Sequence, residues 1–177
     1  MPLRPRDDAT DRATRTLPSG VLALALCLLA GACGTGEEPA KNVVSLPDSA
    51  FRVEWKGVEV ARAMKPEQRA LATVTFKNLS PVTWPDPKSP GALPTGAGAV
   101  RLSYRWWTAG SPLPSDYSDR ADLSAPVRPG DTATVTIPVR APAKAGEYEL
   151  QIDLVQELVT WFEAKGAPAL RVPVSVR

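Results

Sequence analysis

From Phe51 to the C-terminus, apolar and polar residues alternate with a period of two. Phe51, Val53 and Trp55 alternate with Arg52, Glu54 and Lys56, and Ala72, Val74 and Phe76 with Thr73, Thr75 and Lys77. Val100, Leu102, Tyr104 and Trp106 are set against Arg101, Ser103 and Arg105, and Ala133 to Val139 against three threonines. Tyr148, Leu150, Ile152 and Leu154 alternate with Glu147, Glu149, Gln151 and Asp153; Leu170, Val172, Val174 and Val176 close the series. Such alternation predicts half-buried strands, each with one face on a core and one in water. Shorter strands are expected at 58–63, 121–123 and 158–162. The segment 61–72 contains helix formers, but Pro66 interrupts them, so a turn is expected there. The expected fold is all-β, an Ig-like antiparallel sandwich of about seven to nine strands.

Turn signals separate the strands: Pro85-Asp86-Pro87, Pro90-Gly91, Pro129-Gly130-Asp131 and Ala145-Gly146. Asn78 to Gly98, dense in Pro, Ser and Gly, is expected to be a long connection. Pro138 and Pro173 fall inside strands, which places those positions on a sheet edge or at a bulge.

Upstream of residue 51 the pattern changes. Arg4, Arg6, Arg12 and Arg15 precede an apolar run, Val21 to Ala30, about half the length needed to span a bilayer. Leu29-Ala30-Gly31-Ala32-Cys33 follows, and resembles the lipobox of bacterial lipoproteins, with Ala30 where Leu is commoner. The resemblance implies cleavage before Cys33, diacylglycerol on its thiol, and a cell-envelope location outside the cytoplasm. Gly34 after the cysteine favours the outer membrane in a Gram-negative cell. The alternative is an ordinary secretory signal with Cys33 a bystander. The expected organisation is a signal peptide over 1–32, a lipid anchor and polar tether over 33–50, and a sandwich over 51–177.

Four of the 21 basic and three of the 19 acidic residues precede Cys33, leaving 17 against 16. Without a Lys/Arg cluster interleaved with aromatics, nucleic acid is not an expected partner. Cys27 and Cys33 are the only cysteines, so the domain can hold no internal disulfide. The expected partners are a membrane, through the lipid, and a glycan or an envelope protein.

The body also carries a family resemblance. Val74 to Ser80 followed by Trp84, then Val100 to Trp106, Arg128-Pro129-Gly130-Asp131, and Ala141-Pro142 with Gly146-Glu147-Tyr148-Glu149-Leu150 resemble bacterial Ig-like accessory domains. Such domains stand beside glycosyltransferases and at the C-terminus of O-antigen export ATPases, and are similar to the four-tryptophan Ig-like domain of autophagy receptors. The resemblance, over 74–176, implies a sandwich with a non-catalytic binding role.

Candidate chemistry is sparse. With no histidine and one mature cysteine, the usual nucleophile–base pairs cannot form. Glu147, Glu149 and Asp153 share one strand face, which suits a solvated surface better than glycoside hydrolysis. Asp116, Asp119 and Asp122 do not follow a calcium-loop spacing, and Arg120 among them is expected to neutralise them. Neither a metal nor another cofactor is expected. The remaining leads are aromatic. Trp106 and Trp107 must point to opposite faces of their strand, so one is expected in the core and the other outside it. Trp107, Trp161 and Tyr117 are the candidate ligand-binding residues. The alternative for the tryptophans places Trp55, Trp84, Trp106 and Trp161 between the sheets and covers Trp107 with the Pro-rich connection.

Overall fold

The computed structural model describes residues 43–90, 92–114 and 118–177. Cys33, Asp116 and Tyr117 lie outside the described residues. Ten strands follow in order: β1 (Val53–Glu59), β2 (Ala63–Met64), β3 (Arg69–Asn78), β4 (Val100–Thr108), β5 (Ser111–Pro112), β6 (Arg120–Asp122), β7 (Thr132–Arg140), β8 (Gly146–Gln156), β9 (Thr160–Trp161) and β10 (Leu170–Val176). They form two sheets. The smaller is ordered β1-β3-β7; the larger runs β2-β10-β8-β4-β5, with β6 also on β4 and β9 on β8. Pairing is antiparallel except between β2 and β10.

The period-two pattern explains which faces meet. Val74 and Phe76 of β3 and Ile137 and Val139 of β7 point inward, opposite Leu102, Tyr104 and Trp106 of β4 and Leu150, Ile152 and Leu154 of β8; all are buried. On the wet face of the small sheet, Thr73 and Thr136 approach to 3.2 Å and Thr75 and Thr134 to 3.0 Å through their hydroxyls. The buried indoles keep their N–H groups bonded. Trp84 donates to the Ala50 carbonyl (2.7 Å) and Trp106 to that of Arg140 (2.8 Å). Trp84 joins the sheets through ring contacts, edge-on to Phe162 at 5.2 Å and tilted against Phe76 at 6.3 Å.

Asn78 organises the long connection. Its side-chain amide donates to the carbonyls of Val82 (2.8 Å) and Val127 (2.9 Å), and its Oδ1 accepts from the Ser80 amide (2.8 Å). That explains why Asn, a small polar residue and then Trp stand together at 78–84. Both strand prolines sit where a missing N–H costs nothing. Pro138 is on β7, an outer strand. In β10 the amides of Ser175 and Arg177 donate to Arg62 and Met64 carbonyls; by parity position 173 would donate on the same side, where β2 no longer reaches.

Two expectations change. Residues 43–50, assigned to the tether on composition, pack along the sandwich: the Gln156 side chain bonds the Val44 carbonyl (2.8 Å) and the Leu46 amide (3.0 Å). Composition reports side chains, whereas this segment is held by its backbone. The polar face of β8, expected in water, is covered over its second half: Gln151 and Asp153 are fully buried, while Glu147 is exposed and Glu149 half-buried.

Candidate functional site

The cover is a ladder of charged and aromatic side chains on the outer face of the large sheet. Strand parity puts Arg105 and Trp107 of β4, Glu149, Gln151 and Asp153 of β8, and Arg171 of β10 on this face. Register then brings them together: Arg105 and Arg171 flank Gln151 from either side, and Trp107 stands opposite Glu149. The β8–β10 connection adds Trp161 and Glu163. Phe162 between them turns into the core, so its neighbours in sequence are left on the outside.

The ladder is continuous. The guanidinium carbons of Arg120 and Arg105 lie 4.9 and 4.3 Å from the centre of the Trp161 ring. Arg105 bonds Glu163 at 3.0 Å, Glu163 bonds Arg171 at 2.8 Å, and Arg171 bonds Glu149 at 2.6 Å while standing 5.1 Å over Trp107. Each cation–ring contact contributes about 0.5–1 kcal/mol, and together they hold the long arginines in place. Burial resists Glu163 ionisation, but bonds from Gln151 and Arg171 and the charge of Arg105 hold its pKa below the usual range. Asp153 lies beneath. Its two oxygens accept from the amides of Leu154 (2.8 Å) and Glu163 (3.1 Å), yet burial dominates and pushes its pKa up to about 7.

Beyond Trp107 the ladder opens into a depression of about 390 Å³, bordered by Glu147, Tyr148, Glu149, Arg171 and the Ala109-Gly110 turn. The Trp107 indole N–H has no acceptor among the described residues.

Trp107 therefore faces outward, packed under Arg171 and not under the Pro-rich connection. Trp161 is not between the sheets: it is half-buried on the outer face, at the other end of the same ladder. Among the described residues Arg120 pairs with Glu157 at 2.7 Å and with neither Asp119 nor Asp122 through their carboxylates, and Asp122 pairs with Arg101 at 2.6 Å. Arg105, Arg171 and Glu163 escaped the sequence reading of the site, and Asp153 was assigned to a solvated face. Parity within each strand could have found the two arginines, but Glu163 depends on the path of a connection that carries no period.

No family model matches the sequence, and no curated protein matches it. Among solved structures, the chain is similar to the CARDB domain of a Pyrococcus furiosus protein crystallised with di-metal ions, at 16% identity and TM-score 0.37, over 71% of this chain and 86% of that one. It is also similar to sporulation control protein Spo0M of Bacillus subtilis (15%, TM-score 0.39, 71% and 49%) and to a β-glucosidase from Listeria innocua in complex with glucose (11%, TM-score 0.39, 71% and 16%). The class the strands define is an Ig-like β-sandwich.

Proposed function

We propose that this protein is a non-enzymatic binding module, lipid-anchored at Cys33 outside the cytoplasm, which takes a cell-envelope glycan in the depression beside Trp107. The observation that carries this reading is the composition of that depression. The Trp107 indole supplies apolar surface for a sugar ring, while Glu147, Glu149 and Arg171 supply hydrogen-bonding groups at its edge. The ladder behind it holds Arg171 and Glu149 before any ligand arrives, which lowers the ordering cost of binding. The resemblance to glycan-associated accessory domains supports the same reading.

The test is retention of the full chain on immobilised envelope polysaccharides. Wild type is retained and Trp107→Ala weakens retention at least tenfold, with its melting temperature close to wild type. No retention of wild type across a broad glycan panel overturns the proposal. A second reading, a subunit docked in an envelope complex, is favoured by β7, whose outer edge pairs with no strand among the described residues. Crosslinking in cells that captures one stoichiometric protein partner would select it.

A further inference from the structure

We infer that the end of the sandwich at which the chain enters lies against the lipid bilayer, with Leu158 and Leu79 as its apolar contacts. This rests on the anchored reading above, and adds to it an orientation and a second membrane contact.

The described chain begins at the β8–β9 turn. Val44 and Leu46 are bonded to Gln156, the last residue of β8. Nine residues, 34–42, separate Cys33 from Val43. At roughly 3.5 Å per residue such a segment reaches about 35 Å fully extended, and about 18 Å on average as a coil. An anchored Cys33 thus keeps this end of the sandwich beside the headgroups.

The same end gathers exposed apolar side chains. Among the described residues four large hydrophobics are exposed: Val44 (67%), Leu71 (67%), Leu79 (51%) and Leu158 (80%). Three of the four are here. Val44 is where the chain enters, Leu79 follows the last residue of β3, and Leu158 is in the β8–β9 turn. Leu79 borders an apolar groove of about 480 Å³ formed with Phe51, Val53, Ala167 and Pro168. Leu158 is the sharpest case. Its φ of +60° is a left-handed conformation that Gly or Asn adopts more easily, and it is 80% exposed and outside the core cluster, so neither turn nor core calls for leucine.

Charge points the same way. At this end Glu157, Asp122 and Asp48 are matched by Arg120, Arg101 and Lys165. Arg52, Lys88 and Arg128 at this end are exposed with no ion pair among the described residues, and of the exposed acids there only Asp131 is similarly without one; the other exposed unpaired acids, Glu59 and Glu147, lie at the opposite end. Exposed leucines within a surplus of cations fit an anionic lipid surface.

The experiment uses the full chain expressed and lipidated in cells, with Cys27→Ser so that, Cys33 being acylated or replaced, the only free thiol comes from Leu158→Cys or Leu71→Cys and carries an environment-sensitive fluorophore. Each is mixed with protein-free vesicles of phosphatidylethanolamine and phosphatidylglycerol, with and without Cys33→Ser, and vesicle flotation is scored separately. A blue shift at 158 and none at 71, on the wet face of the small sheet, is expected. It should weaken at least threefold on adding Arg52→Glu with Arg128→Glu. Flotation without a shift at 158, equal shifts at both positions, or a shift only with native membranes containing protein overturns the docking. Equal flotation of wild type and Cys33→Ser overturns the anchor alone, and docking then stands or falls by the shift at 158.

Discussion

Asp153 shows how far one position can depart from what its strand pattern implies. Alternation assigns it to water, and β8 does turn it outward, but Glu163 and Arg105 close over it. Its carboxyl titrates near 7, up from 3.8, because burial penalises the charged form more than two amide donors and Arg105 favour it. The native state thus binds this proton more tightly than the unfolded chain does, and the group's contribution to stability falls as pH rises through 7. Between pH 8 and pH 5.5 the gain amounts to about 2 kcal/mol, from 1.5 units at ~1.4 kcal/mol each. Glu163 works in the opposite sense, but its lowered pKa places its loss below that window. Urea titrations should therefore give wild type a higher midpoint at pH 5.5 than at pH 8. Asp153→Asn, which imitates the neutral acid, should flatten the difference; an unchanged difference in the variant would assign it to another group.

Among the elements, the strands were legible and their connections were not. Six long strands, the short β6 and β9, and the edge positions of Pro138 and Pro173 follow from period and proline chemistry. The two-residue strands β2 and β5 have no pattern to read, since two positions cannot show a period. The β8–β9 turn follows no turn rule either, because leucine occupies its left-handed position. Leu158→Asn should relieve that conformation and raise stability by roughly 0.5–1 kcal/mol in chemical denaturation. The same change should weaken the vesicle contact proposed above. A loss of stability would mean that Leu158 has packing not evident from its 80% exposure.

At the level of the molecule, the two sheets are joined through aromatic side chains at the end where the chain enters. Trp84 is fully buried, bonds Ala50, and touches Phe76 of one sheet and Phe162 of the other sheet's connection. Trp84→Ala should cost about 3–5 kcal/mol, within the range for emptying a buried aromatic site. Against a total of about 5–15 kcal/mol typical for a domain, that leaves little margin. Trp107→Ala should cost under 1 kcal/mol, since it removes a half-buried ring and one arginine contact. Equilibrium denaturation of the two variants side by side checks the contrast; equal losses would mean that the outer ladder bears on stability as much as the core does.

The chain's own residues were enough to specify an all-β sandwich, the inward and outward faces of its main strands, and Trp106 and Trp107 on opposite sides of β4. Each is a local property, because strand geometry sends successive side chains to opposite faces whatever the partner strand. The fold alone decided that Trp161 belongs to the outer face, that residues 43–50 are packed, that Arg105 and Arg171 meet around Gln151, and that Asp153 is buried. Those depend on register between strands far apart in sequence and on the path of the β8–β10 connection. Alternation within a strand says which way a side chain points; what it meets there is set by the neighbour across the ladder.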